Sequence, residues 1–279
     1  MTTTLRPVGP ERLGDDGARS RRFAVCVNGR PVGAVELATD TRLGAYEGRI
    51  VSLAVDEPDR RRGRGTVAAL AAEEVLRGWG CRRIEAAVPE SAGAALRLAT
   101  ALGYTERNRT MLKQLDATPP ELPDGCSVRP MGEDEYARWH VDERDRFIRS
   151  LAEHGVPYER AVAKADATYH RTLPDGVHTA DTALRLLAHH GTDVGRLWLR
   201  LRDPADAQVP ARVYDVEVDE QHRGRGHGRT LMLAAERECL AAGVRSLGLN
   251  VSAGNAPALR LYTSLGYRTT TRFMAKELF

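Results

Sequence analysis

Lysine is almost absent from this chain of 279 residues. It occurs only at Lys113, Lys164 and Lys276, so arginine carries nearly all the positive charge. The formal net charge is only +3, too small to imply a nucleic-acid partner. Cysteine is scarce as well. Cys26, Cys81, Cys126 and Cys239 lie far apart with no Cys-x-x-Cys spacing, which argues against a disulfide framework or a zinc cluster. No apolar run approaches the roughly 20 residues that cross a bilayer. Residues 1–12 show no apolar stretch between a basic start and a small-residue cleavage site, so no secretory signal and a cytoplasmic location are expected. What remains is 42% apolar and 28% charged, ordinary for a globular protein.

The length allows one large domain or two ordinary ones, and internal repetition favours two. Arg-Gly-Arg-Gly occurs at 62–65 and again at 223–226, each time after a β-like run ending in Val-Asp-Glu (Val55-Asp56-Glu57 and Val218-Asp219-Glu220). A helix-like stretch rich in Ala, Leu and Glu follows each. Both halves then carry Ala-Leu-Arg-Leu (Ala95–Leu98, Ala258–Leu261) and Leu-Gly-Tyr (Leu102–Tyr104, Leu265–Tyr267). The offset is 161 residues between the glycine-rich motifs and 163 between the tails. The stretch 116–125, with three prolines, reads as a linker, placing one domain at 1–115 and the other at 126–279.

Each half reads as mixed α and β. In the first, Arg22–Val27 and Pro31–Ala38 flank Asn28-Gly29-Arg30, a hairpin signal. Arg49–Val55 and Arg83–Val88 read as strands, Val67–Arg77 and Ser91–Leu102 as helices, the latter stopped by Gly103. In the second, Asp134–Glu153 and Tyr158–Thr172 read as helices. Leu184–His189 and Val194–Arg202 flank a turn at Gly191-Thr192-Asp193. Arg212–Val218, Ser246–Val251 and Arg268–Lys276 complete the strands, after a short one at Ser127–Arg129. Arg229–Ala242 and Ala256–Leu265 complete the helices.

The segment Arg223-Gly224-Arg225-Gly226-His227-Gly228-Arg229 lies between a strand and a helix. Glycines there let the backbone turn and aim several N–H groups at one anion, and the helix N-terminus adds partial positive charge. Arg223, Arg225 and Arg229 add charge-assisted donors. This strand–loop–helix, followed by Asn255-Ala256-Pro257-Ala258-Leu259-Arg260-Leu261-Tyr262 and Leu265-Gly266-Tyr267, resembles the GNAT superfamily of acyl-CoA-dependent N-acyltransferases over Ser127–Phe279. The resemblance implies two tandem GNAT domains in the α/β (α+β) class. Each would be a mixed, mostly antiparallel sheet flanked by helices, with two central strands splayed apart. It also implies acetyl-CoA as cosubstrate, its pyrophosphate on Arg223–Arg229, its pantetheine arm against the backbone of Val216 and Val218, and Asn255 near the thiol end. Tyr262 matches the tyrosine that serves the leaving sulfur, although its helix pattern also suits a core aromatic. His227 stands where that family usually has an aliphatic residue.

Period-two alternation along residues 213–218 puts Val213, Asp215 and Glu217 on one face and Tyr214, Val216 and Val218 on the other. Two carboxylates facing one way on a mid-sheet strand are costly as structure alone, so they are candidate bases for an ammonium substrate, Glu217 the principal one. Trp139, Asp142, Glu143, Asp145 and Tyr158, on the helices after the linker, are candidates for the acceptor side. The eight histidines, His140 to His227, match no metal-ligand spacing, and no metal is expected. In the first half Ser52, Ala54, Ala92 and Ala99 stand opposite Asp215, Glu217, Asn255 and Tyr262. With Val67 opposite Gly228, that half reads as a degenerate copy with a broken loop. The expected function is acetyl transfer to the primary amine of a small molecule or peptide, by a monomer or homodimer. The alternatives are an aminoacyl-tRNA or carrier-protein donor, or a non-catalytic acyl-CoA sensor.

Overall fold

The computed structural model describes residues 2–14, 17–39, 47–153, 156–202 and 211–278. It divides into two compact units, Met1–Arg109 with Thr270–Phe279, and Thr110–Thr269. The division differs from the linear one expected at the linker. The first unit takes the last strand of the chain, and the second takes Thr110 onward.

The first unit holds strands β1 (Thr3–Leu13), β2 (Arg19–Val27), β3 (Arg30–Thr39), β4 (Glu47–Val55) and β5 (Arg83–Pro89), with helices α1 (Arg64–Gly78) and α2 (Gly93–Ala101). Strand β6 (Thr105–Gln114) leads out of it, and β12 (Arg268–Glu277) returns to it. The strand order is β1-β2-β3-β4-β5-β12, antiparallel except for β4 against β5. The hairpin between β2 and β3 turns on Asn28 (φ 48°) and Gly29 (φ 84°), the left-handed pair that a two-residue turn needs. One face of the sheet packs Phe23, Val35, Leu37, Ile84 and Met274 against Ala72 and Leu76 of α1. Strand β1 was not legible because Pro7, Gly9 and Pro10 interrupt it; an edge strand tolerates missing donors where a central one does not.

The second unit runs β7 (Cys126–Pro130), α3 (Glu133–Glu153), α4 (Tyr158–Thr172), β8 (Thr182–His189), β9 (Thr192–Arg200), β10 (Ala211–Val218), α5 (His227–Ala241), β11 (Ser246–Ser252) and α6 (Ala256–Ser264). Its order is β6-β11-β10-β9-β8-β7, with β10 and β11 parallel. The hairpin between β8 and β9 turns on His190 (φ 50°) and Gly191 (φ 80°), earlier than the expected Gly191–Asp193 turn. Helix α3 starts with a carboxylate reaching back, since Gly132 N donates to Glu135 Oε2 at 2.8 Å. Trp139, Ile148 and Leu151 are its buried stripe. Tyr169 of α4 stacks on Trp198 of β9, and Trp139 meets Trp198 edge-on. On the opposite side, Leu231, Met232 and Ala235 of α5 join Leu197, Leu199, Val213, Leu247 and Leu249 in the main core. The linker forms neither helix nor strand, and Arg237 donates to Pro120 O at 3.1 Å. All four cysteines are free.

Candidate active site

Parallel pairing between β10 and β11 covers only Ala211–Val213 with Leu247–Leu249. Strand β10 stays paired to β9 through Val218, so the two parallel strands separate after Val213. The register against β9 passes from Val213↔Leu199 to Asp215↔Trp198, which leaves Tyr214 as a bulge residue. The extra residue breaks the period-two reading. Val213 does not share a face with Asp215; it joins Val216 and Val218 in the core beneath α5, while Asp215 and Glu217 face away from it. Tyr214 is left half-exposed with its ring stacked on Trp198 at 4.8 Å. Gly195 permits the close approach of β9 to this strand: a Cβ there would lie 2.5 Å from Glu217 O.

The two carboxylates have different partners. Glu217 Oε2 accepts from Arg146 Nη1 of α3 and from Arg196 Nη2 of β9, both at 2.5 Å. Arg146 also pairs with Glu143. Asp215 has a buried Oδ2 with no hydrogen-bond partner. Burial pushes its carboxyl up to about 7, with the charges of Glu143 and Glu217 adding to the rise and Arg146 and Arg196 opposing it. Tyr262 of α6 is buried beside the same gap. Desolvation, then the charge of Asp215, raises its phenol to about 12, so it stays protonated at neutral pH. Of the acceptor-side candidates, Glu143 reaches this network and Trp139 supports it from the core. Asp142, Asp145 and Tyr158 lie on the exposed surface.

The loop from β10 into α5 turns through Gly224 (φ 77°) and Gly226 (φ 86°), both left-handed. Gly226 caps α5, whose first residues are His227 and Gly228. Arg223 Nε donates to Val218 O at 3.1 Å and ties the loop to the strand end. Arg225 is exposed; Arg229 donates to Ser264 Oγ at 2.6 Å. A Cβ on Gly228 would come within 3.3 Å of Leu261, so the helix start packs closely on α6. His227 is buried with Nε2 unpartnered; its ring lies 5.0 Å from that of His189, which is tilted against His190 at 4.2 Å, and His222 lies 6.4 Å away. Burial, then the neighbouring histidines and Arg225, holds His227 below its ordinary value. Among the described residues no group of three or more His, Cys, Asp or Glu is arranged to hold a metal ion. Asn255 is the N-cap of α6: its Oδ1 accepts from Ala258 N at 3.1 Å.

The first unit repeats this construction at a constant offset of 163 residues, and that corrects the alignment drawn from the Arg-Gly-Arg-Gly motifs. Strand β4 pairs with β5 only over Glu47–Ile50, and its register against β3 skips Val51, the counterpart of Tyr214. Gly63 caps α1 with φ 72° as Gly226 caps α5. Arg60 Nε donates to Val55 O at 2.8 Å as Arg223 does to Val218. A Cβ on Gly65 would lie 3.4 Å from Leu98, as one on Gly228 would lie 3.3 Å from Leu261. The partner of Gly228 is therefore Gly65, not Val67, and the first loop is intact. Ser52, Ala54, Ala92 and Ala99 do stand opposite the chemical groups. Asp59 and Arg64, a buried ion pair, occupy the positions of His222 and His227.

Both halves match one family description, Acetyltransferase (GNAT) family, at residues 4–104 and 137–267. The chain belongs to the GNAT acetyltransferase family and is a tandem, acyl-CoA-dependent N-acetyltransferase. It is similar to a mycothiol acetyltransferase of Saccharomonospora viridis, 28% identical over 89% of this chain and 81% of that one. A mycothiol acetyltransferase of Clavibacter michiganensis is 33% identical over 86% of this chain and 74% of its own length. In fold it resembles a GCN5-related N-acetyltransferase from Sphaerobacter thermophilus, with TM-score 0.59 and 21% identity over 92% of this chain and 80% of that chain. The family generally uses acetyl-CoA. No helix among the described residues is long and apolar enough to cross a membrane.

Proposed function

We propose that the second unit transfers an acetyl group from acetyl-CoA to the primary amine of a small molecule, with Asp215 as base and Tyr262 as donor to the departing sulfur. The observation that carries the assignment is the unpartnered Oδ2 of Asp215 beside the open end of the β10–β11 gap. An amine has an ordinary pKa near 10 and must lose a proton before attacking. A carboxyl raised to about 7 accepts that proton near neutral pH better than an ordinary one. Glu217, committed to Arg146 and Arg196, positions the network rather than serving as base in this reading, which reverses the ranking expected from sequence. Tyr262 keeps its hydrogen at neutral pH and offers it to the sulfur as negative charge grows there.

The phosphates of CoA fit the Arg223–Arg229 loop, where the left-handed glycines and the α5 N-terminus point N–H groups at one place. Backbone of 214–218, freed on its β11 side, suits the extended pantetheine arm and the thioester oxygen. Asn255 acts by capping α6 and so holding Tyr262, rather than through its carbonyl on the ligand. The acidic and aromatic groups around Asp215 (Glu143, Tyr214, Trp198) suit a cationic amine. The relatives' names point to mycothiol metabolism as one source of the acceptor.

Calorimetry and a thiol-release screen over amines test this reading. Gly228→Val should abolish turnover by driving side-chain atoms into the helix start, where only 3.3 Å separates a Cβ from Leu261. Undiminished acetyl transfer by Gly228→Val, or thiol release with no amine in the panel, would refute it.

A further inference from the structure

Four of the eight histidines gather around the start of α5. His227 is the first residue of that helix and is only 4% exposed. His189 ends β8 and brings its ring to 5.0 Å from that of His227. His190, in the hairpin turn, lies 4.2 Å from His189. His222, in the short turn Glu220–His222 before the loop, stands 6.4 Å from His227 on another side.

The surroundings favour neutral rings. Nε2 of His227 is buried and has no hydrogen-bond partner. The helix N-terminus carries partial positive charge, which opposes a cation placed there. Burial disfavours a charge on His227 most, and the groups that face it add to this: His189 from β8, His222 from the turn and Arg225 from the loop. Behind His189 stand His190 and, across the strand pair, Cys126 of β7. From β10 and α6 the nearest groups to the helix start, at Gly228, are the apolar Val218 and Leu261.

The first unit fills the same place differently. Asp59 and Arg64, at the positions of His222 and His227, form a buried ion pair, and Arg30 Nη2 also donates to Asp59 Oδ1 at 2.9 Å. Carboxylate and guanidinium groups ordinarily titrate outside the range between about pH 5 and 8, whereas imidazole titrates within it. The chain thus ties one helix start with charges that mild acid leaves alone, and the other with rings that mild acid changes.

We propose that the histidine cluster is a proton-operated switch on the glycine-rich loop: mild acid charges the imidazoles, the start of α5 opens to hydrate them, and the loop loses its hold on the phosphates of CoA. The inference rests on the reading of Arg223–Arg229 as the phosphate loop. A neutral His227 stays packed; a charged one must reach water. Moving it displaces its chain neighbours Gly226 and Gly228, and with them the N–H groups of the helix start. The open form takes up protons that the closed form excludes, so the closed form is lost as pH falls through about 6.5. The effect is on affinity, and so is separate from the acidic limb of turnover assigned to Asp215.

Hydrogen exchange of the ligand-free full chain at about pH 7.5 and 5.5, corrected for intrinsic rates, tests the switch itself. Protection at residues 220–232 should fall about 10-fold, the limit for one excluded proton over one pH unit below its ordinary pKa. The matching residues 57–69 of the first unit should keep theirs. Calorimetric titration with acetyl-CoA reads the consequence. The ratio of its affinities at the two pH values should be about 3-fold or more larger in the wild type than in His227→Leu, which cannot take up the proton. Each protein supplies its own reference, so any change in basal affinity cancels. Equal loss of protection in both segments, or none, overturns the proposal. So does a pH ratio that His227→Leu leaves unchanged or enlarges, or tighter binding by the wild type in acid, which would mean that charged imidazoles hold the phosphates. Absence of acetyl-CoA binding at both pH values would overturn the phosphate-loop reading and the ligand half of this inference together. The exchange measurement needs no ligand, so the two failures are told apart.

Discussion

The two units share a backbone and differ in what hangs from it. Both have a bulge in the strand before the loop, a parallel pairing that stops after three or four residues, a left-handed glycine cap and an arginine bonded to the last strand carbonyl. Yet four positions separate the proposed reaction centre from its counterpart in the first unit: Asp215 against Ser52, Glu217 against Ala54, Asn255 against Ala92, Tyr262 against Ala99. The scaffold creates an open strand edge and a helix start capped by a left-handed glycine. In the proposed reaction the second unit adds a buried carboxylate oxygen without a hydrogen-bond partner and a phenol that stays protonated.

The sharpest way to break the comparison is at Asp215. Asp215→Asn should make the second unit as inert as the first, with kcat/KM lower by about 10²–10⁴-fold. In the wild type the rate should fall as pH drops through about 7, because protonation removes the base. Glu217→Gln should instead shift that acidic limb to lower pH, since Glu217 is one of the charges that raises Asp215. A limb that vanishes in Glu217→Gln and persists in Asp215→Asn would reverse the roles. Stability should move the other way. Because folding raises the pKa of Asp215, the folded chain holds an extra proton between about 4 and 7, and the ionised form costs stability above that window. Asp215→Asn should therefore raise Tm at pH 8 and leave it nearly unchanged near pH 4, as thermal scans at the two pH values would show.

Next in size is Tyr262→Phe, expected to cost about 10²-fold in kcat with CoA affinity nearly constant, as for loss of one transition-state hydrogen-bond donor. Single-turnover kinetics alongside calorimetry would separate the two effects. An unchanged kcat would leave Tyr262 as a core aromatic.

A smaller effect is expected where β9 and β3 press on the bulged strands. Gly195→Ala places a Cβ 2.5 Å from Glu217 O, and Gly33→Ala places one 2.2 Å from Ala54 O. Each should lose about 1–3 kcal/mol in denaturant unfolding. Only Gly195→Ala should also displace the acidic limb, because only the strand it presses on carries Asp215. The smallest difference is at the helix caps. Asn255 and Ala92 have nearly the same backbone angles (φ −86° and −88°), but only Asn255 caps its helix. Asn255→Ala should cost about 1 kcal/mol, and Ala92→Asn should return a similar amount. Chemical denaturation of both variants checks the pair.

Much of this was readable from the chain as letters. The tandem repeat, the glycine-rich loop, the helices from α3 to α6 and the candidates Asp215 and Glu217 rest on local signals: spacing, glycine placement, and periodicity within one element; Tyr262 became a candidate through the family resemblance, since its own helix pattern suits a core aromatic. Local signals could not show the bulge at Tyr214, because nothing in Val-Tyr-Asp-Val marks an inserted residue until a neighbouring strand sets the register. Matching the two loops letter by letter paired Gly228 with Val67; the hydrogen bond from Arg60 and the capping glycine pair it with Gly65. Strand β6, mostly polar, and the return of β12 to the first unit are likewise matters of long-range pairing. The order of the two carboxylates was decided last. Sequence proximity to the loop favoured Glu217, but Arg146 arrives from α3, 71 residues away in the chain, and Arg196 from β9. Electrostatic environment is a sum over whatever the fold brings near, so the residue types were determined by the sequence itself, and which of them holds a proton near neutral pH was determined by tertiary structure alone.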